Sequence, residues 1–357
     1  MRKPPILEAS DHHLENDFYI VELDAHHGGV RRIFDKELQV ELLDTSEHYG
    51  NELYYPGDPR VSSTDARAEV QLVENGPLRI TTRVRSRVGD APYECAISLS
   101  ADVRRVDFAL DIDYGRGVEY GEHRLSLDIP HFPDMTGAKV VLKDGTGLST
   151  LFPLAFSGKL FINQPFGVYE TEKKDQFSLD FADVHQGDYG IGLLHRNTPG
   201  YHYDGRILAL HLAQGRPLVV GKQSYRYSVH SHRGDPVAAH VFRAAQNAST
   251  PFDAVWTKEL SGRLPQEGSF VSIDHENVVL SSMYAEGDSI FVRFYESDGD
   301  ASSVRVEMPW IQSGEFLKVQ LDNQPVHPVV FADGALELDF APWEIVTVEM
   351  RKVEVLA

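Results

Sequence analysis

The chain has 357 residues, 54 acidic against 34 basic, and a net charge of −20 at neutral pH. So acidic a surface repels nucleic acid and anionic membrane, which argues against phosphate-backbone partners. No apolar run approaches the roughly 20 residues that span a bilayer, and the start Met1-Arg-Lys-Pro-Pro-Ile-Leu lacks the apolar stretch of a signal peptide. A soluble, cytoplasmic protein is expected.

Cys95 is the only cysteine, so there is no internal disulfide framework. It alternates with Ile97 and Leu99, which points to a buried and inert thiol. Residues 1–13 carry no periodicity and read as a lead-in. Strand signals begin at Asp17–Leu23, followed by the turn Gly28-Gly29 and Val30–Phe34, a hairpin pattern. From Leu78 to Val88 alternation puts Ile80, Thr82, Val84 and Val88 on one face and Arg79, Arg83, Arg85 and Arg87 on the other. From Val106 to Tyr114 apolar residues face away from Asp107, Asp111 and Asp113. A basic strand and an acidic strand are expected in one sheet, adjacent or one strand apart, with arginines facing aspartates. The alternative is an arginine stripe that binds a phosphate or carboxylate ligand.

Further strands are expected at His123–Pro130, Lys139–Lys143 and Leu160–Tyr169. The stretch Gly187–Asp235 reads as strand Gly190–His195, loop Arg196–Arg206, strand Ile207–Ala213, turn Gln214–Gly221 and strand Gln223–His232. Its loop is rich in Tyr, His and Asn, the kind of segment a β scaffold presents for binding. Val237, Ala238, Val241, Phe242 and Ala245 then form the apolar stripe of a short helix over 236–246. Residues 247–268 are polar and irregular. Beyond them short strands recur at Phe270–Ile273, Val278–Tyr284, Ile290–Tyr295, Val304–Met308, Phe316–Gln320, Leu336–Phe340 and Ile345–Met350, the rhythm of a small sandwich.

Chemistry-bearing motifs are sparse. No nucleophile elbow, zinc-binding His-Glu-x-x-His helix, phosphate-binding loop or dinucleotide fingerprint occurs. His230 and His232 share a strand face, a candidate metal pair with no third ligand in sight, and polar-face histidines are the plainer reading. His202-Tyr-Asp204 has ligand-type residues two apart but lies in a glycine-flanked loop. Tyr225, Tyr227 and the three tryptophans read as sandwich core. Tyr201 and Tyr203, set among Pro, Gly and Asp, are as readily exposed for stacking on a sugar as buried.

In order along the chain, several segments resemble the C-terminal β region of glycoside hydrolase family 38 α-mannosidases. These are Asn16–Asp24 with Gly28-Gly-Val30, Asp35-Lys36 and Glu41-Leu-Leu43; Asn51-Glu-Leu53 with Asp58-Pro59; and Gln164-Pro-Phe-Gly-Val168. Gly190–Leu194, Asn197, Gly200-Tyr201 and Leu208–Leu212 lead to Gly221, Tyr225, Tyr227 and His232-Arg-Gly-Asp235. Asn277–Ser281, Val292–Glu296 and Pro342–Thr347 resemble the closing sandwich.

The resemblance implies an all-β fold: a large antiparallel supersandwich of the galactose-mutarotase type at 14–250, a linker at 251–268 and a small β-sandwich at 269–357. Family members are zinc-dependent retaining α-mannosidases whose ligands and nucleophile lie on an N-terminal barrel, which these residues do not include. The expectation is therefore a non-catalytic, carbohydrate-associated portion, with no cofactor of its own and with zinc belonging to the barrel. Its partners would be carbohydrate and an N-terminal catalytic barrel with helical bundle, linked covalently or as a separate subunit. By its match to the family's loop over the sugar site, Asn197, Tyr201 and His202 are the expected substrate contacts. Two alternatives stand beside this: a stand-alone carbohydrate-binding module, and a mutarotase-like epimerase using His232 with Asp204 or Asp235.

Overall fold

The computed structural model describes residues 6–57, 59–115, 125–126, 139–140, 147–196, 198–213, 221–250, 255–258 and 267–355. They fall into two compact units, one of Met1–Asn163 with Tyr169–Pro251, the other of Gln164–Val168 with Phe252–Ala357. No helix among them is long and apolar enough to cross a membrane.

The larger unit is a supersandwich of antiparallel sheets. A five-stranded meander opens it, running in chain order from Leu7–Ser10 to Val40–Glu41. Its first strand lies in the expected lead-in, because Leu7–Ser10 pairs with His13–Asn16 across a tight turn. The nine-stranded sheet is ordered Gly167–Thr171, Lys159–Gln164, Phe181–Gln186, Tyr189–Arg196, Lys222–Arg233, Val106–Asp113, Ala91–Ser100, Arg79–Val88, Glu69–Asn75. The six-stranded sheet is ordered Asp175–Phe177, Gly200–Tyr203, Ile207–Ala213, Leu148–Pro153, Glu52–Tyr55, Val61–Ser62.

Period-2 alternation explains the core these strands share. Ile80, Thr82, Val84 and Val88 are buried, as are Cys95, Ile97 and Leu99 on the next strand. Cys95 is the inert thiol its alternation implies, pushed up to about 12 by burial. Phe108 stacks on Tyr227 with ring centroids 5.3 Å apart and meets Phe152 edge-on at 5.5 Å.

The basic and acidic strands do share the nine-stranded sheet, one strand apart, but their partners differ from the expected ones. Ala91–Ser100 lies between them and supplies Glu94, whose carboxylate takes Arg85 Nε at 2.7 Å. Arg79 turns to Glu74 and Arg83 donates to Gln71, while Asp111 takes Arg226 from the other side. The intervening strand is nearer than the second neighbour, so the arginines pair before they can reach an aspartate.

Three other expectations are corrected. The loop at Arg196–Arg206 contains a strand, Gly200–Tyr203, paired with both Asp175–Phe177 and Ile207–Ala213. The helix begins at Val241, not Pro236. His240 at φ 49° breaks the turn that Asp235 caps through the amides of Val237 and Ala238. The tryptophans are not all core: Trp256 is 98 % exposed and Trp343 43 %, and only Trp310 packs partly against the smaller core. The expected strands at His123–Pro130 and Lys139–Lys143 lie largely outside the described residues.

The smaller unit packs a four-stranded sheet, Ser272–Ile273, Ser302–Glu307, Ala335–Phe340 and Phe331–Ala332, on a five-stranded one. The second sheet runs Val278–Glu286, Ser289–Glu296, Ile345–Val355, Ile311–Val319, Pro325–Pro328. Met308, Phe294, Leu336 and Val348 fill the space between.

Candidate functional site

Side chains on the outer face of the nine-stranded sheet alternate with the core ones, so they are small or polar wherever the strand faces solvent. Ala96 and Ser98, Asp107 and Ala109, and Ser228 lie side by side on three neighbouring strands and form a floor. The helix Val241–Ser249 packs on Tyr189–Arg196 and Lys222–Arg233 and brings Ala248 to one edge. The result is a cleft of about 380 Å³, ringed by Arg79, Arg105, Arg196 and Arg226. A second recess of about 690 Å³ continues from Arg226 along the same face, past Glu94, Asp111 and Lys222. Both are built entirely from the larger unit.

Most charge in this groove is already matched. Asp107 accepts Arg105 Nε at 2.7 Å and Ser228 Oγ at 2.6 Å. Burial works against the Asp111 carboxylate, but the Ser224 hydroxyl and Arg226 hold it below the usual carboxylate range. The Arg196 guanidinium has no hydrogen-bond or ion partner among the described residues, though its carbonyl accepts Thr198 Oγ1. Beside it, His195 is pushed down to about 4 by burial and so is neutral at neutral pH. Its Nδ1 accepts the Thr198 amide at 2.9 Å, which leaves Nε2 as the donor toward the Ser178 carbonyl at 3.3 Å.

Tyr201 and His202, expected to contact substrate, lie elsewhere. Asn197 is outside the described residues. Tyr201 is fully buried and its hydroxyl donates to the Leu193 carbonyl at 2.9 Å, so it offers no atom to a ligand, a correction that follows from its place in a paired strand. His202 is largely buried on the six-stranded sheet, its Nδ1 2.9 Å from Asp175 Oδ1. The same oxygen lies 3.7 Å from His211 Nε2, and His211 Nδ1 meets Ser149 Oγ at 2.8 Å. One carboxylate oxygen thus faces two imidazoles, and its hydrogen bond holds His202 above the ordinary histidine range. No group of three His, Cys, Asp or Glu side chains among the described residues is placed to hold a metal.

His230 and His232 are not polar-face histidines either. Their rings stack at 6.1 Å, His230 Nδ1 sits 2.7 Å from the Arg104 carbonyl, and His232 Nε2 lies 2.8 Å from Asp183 Oδ2 in the interior. Asp204 and Asp235, the candidate acid–base partners of His232, are turn caps instead. Asp204 accepts the amides of Arg206 and Ile207, and Asp235 those of Val237 and Ala238.

Comparison with known proteins fits this architecture. The profile of the glycosyl hydrolases family 38 C-terminal domain matches residues 14–217, more than half of the chain. The chain belongs to glycosyl hydrolase family 38. The profile of the family 38 C-terminal beta sandwich domain matches residues 277–348, inside the smaller unit. A search of the curated proteins returns no match to this family 38 chain.

Two solved structures from Enterococcus faecalis share its fold. A protein in the glycosyl hydrolase family 38 has a TM-score of 0.72 at 12 % identity, with 99 % of this chain on 45 % of that one. An alpha-mannosidase from strain V583 has the same score and identity, with 99 % of this chain on 43 % of its own. The family 38 chain therefore spans less than half the length of either.

The glycines of the matched Gly190–Leu194 segment have a physical reason. A Cβ on Gly190 would stand 2.7 Å from His232 Nε2 and 3.0 Å from Asp183 Oδ1, so a side chain there would split that pair. The sequence signal for the groove itself was faint. Arg226, Ser228, Asp107 and Ser98 occupy the outward positions of strands whose inward positions were legible. Nothing in the alternation said that these three strands are neighbours.

Proposed function

We propose that this chain is the carbohydrate-associated, non-hydrolytic C-terminal portion of a family 38 α-mannosidase. It acts with a zinc-dependent catalytic barrel and helical bundle, covalently linked or supplied as a separate subunit. The observation that carries this reading is the pairing of two C-terminal family profiles, in order, on the two units of a chain that overlays less than half of an alpha-mannosidase.

The groove chemistry agrees with it. Retaining hydrolysis takes a nucleophilic carboxylate and a proton-donating carboxyl about 5 Å apart, and the donor must be held above its ordinary range. Asp111 is held low, and Asp107 is committed to Arg105 and Ser228. A hydroxyl-lined floor with charged rims suits contact with a sugar chain, not its cleavage.

The test is hydrolysis of p-nitrophenyl α-mannoside by the purified chain, with and without zinc. No turnover is expected alone, and turnover is expected after mixing with a family 38 barrel that lacks its own β region. Chelator-sensitive turnover by the chain alone overturns the reading. A second reading, a stand-alone carbohydrate-binding module, is favoured by one observation: the groove is complete within the larger unit. Sugar binding with no capture of a barrel would support it.

A further inference from the structure

The groove on the nine-stranded sheet runs against the charge of the chain. On a protein of net charge −20, the cleft ringed by four arginines has Asp107 as its only lining carboxylate among the described residues. Three of those arginines are spoken for, Arg79 by Glu74, Arg105 by Asp107 and Arg226 by Asp111. Arg196 is not. It stands at the end of its strand, exposed, between the cleft and a recess lined by Leu179, Asp180, Pro199 and Ser249. The acid lining that recess, Asp180, makes no ion pair with it and instead accepts Asn163 Nδ2 at 2.8 Å.

Which ligand would use an unmatched guanidinium above a hydroxyl floor? A nucleotide needs an exposed aromatic face for its base, and the aromatic residues lining the cleft, Phe108 and Tyr227, are buried beneath the sheet. The same lack weakens the case for a neutral sugar, which also gains from stacking on a ring. Recognition here falls on hydrogen bonds and charge. A guanidinium presents two parallel donors that match a carboxylate or phosphate. Ser100 offers a hydroxyl that donates or accepts, as ring hydroxyls require, while Ser98, shared with Thr81, and Ser228, whose proton goes to Asp107, keep lone pairs to accept. The volume of about 380 Å³, with the recess beyond Arg226, has room for more than one sugar residue.

We propose that this groove binds an anionic carbohydrate, with Arg196 holding its carboxylate or phosphate group and the serine floor meeting its ring hydroxyls. The proposal rests on the carbohydrate reading above and narrows it to sugars that carry a negative charge. It also gives the arginines matched to Glu74, Asp107 and Asp111 a role: they offset the repulsion that the acidic chain exerts on an incoming anion.

The experiment is calorimetric titration of the full chain with four probes: mannose 6-phosphate, an oligomannuronate, mannobiose and inorganic phosphate. One of the two anionic sugars should bind at least tenfold tighter than mannobiose, and which one it is identifies the charged group. Arg196→Gln should remove that preference and leave mannobiose binding within twofold. Arg87→Gln, on an exposed residue outside the groove, should change nothing. Ser228→Leu should weaken the anionic sugar without affecting phosphate, which excludes a general loss of fold. Equal affinity for mannobiose and the anionic sugars overturns the proposal and leaves the carbohydrate reading standing. Phosphate binding as tightly as mannose 6-phosphate overturns it as a simple anion site. No binding of any probe overturns both.

Discussion

His232 and Asp183 meet inside the larger unit, Nε2 to Oδ2 at 2.8 Å, with 5 % and 0 % of their surfaces exposed. Burial works against a charged imidazole, but the Asp183 carboxylate outweighs it and holds His232 above the ordinary histidine range. A base raised on folding contributes stability that is complete below its unfolded value, about 6.5, and is lost as pH rises through the folded one. Urea midpoints of the wild type should therefore fall on the alkaline side of pH 6.5 by more than those of His232→Gln. His232→Ala, which leaves a buried carboxylate unpaired, should cost about 3–5 kcal/mol at any pH where Asp183 is ionised.

His195 predicts the opposite slope. Its folded value is about 4 because it is buried. A base depressed on folding contributes stability that is present above about 6.5 and is lost as pH falls toward that folded value. Between these limits the wild type should lose stability with acid, and His195→Gln should flatten that loss. An unchanged slope in the variant would mean that His195 protonates without unfolding anything.

Asn51 joins the two main sheets. At φ 59° it accepts Tyr227 Oη and Thr150 Oγ1 through Oδ1, and its Nδ2 lies 3.5 Å from Cys95 Sγ. Asn51→Ala leaves two buried hydroxyls without an acceptor, each worth about 1–3 kcal/mol, and keeps a non-glycine residue in the left-handed region. Tyr227→Phe removes one donor and strands nothing on the tyrosine side, so it should cost less. Equal losses for the two variants in denaturant titration would contradict this ranking.

In the smaller unit Glu296 is wholly buried, and its carboxylate accepts the amides of Asp298, Gly299 and Trp343 together with Asn277 Nδ2. Glu296→Ala removes the acceptor for all four, a loss on the order of 3 kcal/mol or more. The two units have separate cores, so calorimetry should show the transition of the smaller unit moving down while that of the larger one stays.

The Arg85–Glu94 pair is exposed and should couple weakly. A double-mutant cycle is expected to give about 0.2–1 kcal/mol, falling with added salt. Cycles of Arg83 or Arg85 with Asp107, Asp111 or Asp113 should give nothing, since the strand carrying Glu94 lies between them.

How much of this was legible in the chain divides along one line. Alternation alone placed the strands Ile207–Ala213 and Val304–Met308 to within a residue or two, named the buried face of Leu78–Val88 and made Cys95 a core thiol. Order of motifs sufficed for the family. These are local properties, because inward and outward positions follow from a period of two whatever the neighbours are. The partners were not legible. Asn51 meets Tyr227 across 176 residues, His232 meets Asp183 across 49, and Tyr201 is buried because two strands flank a segment that reads as a polar loop. The groove belongs to the same class, since Arg196 comes to face Ser228 and Asp107 only once the strand order is set. Sheet order is chosen by the burial of whole faces against one another, and no stretch of sequence carries that sum by itself.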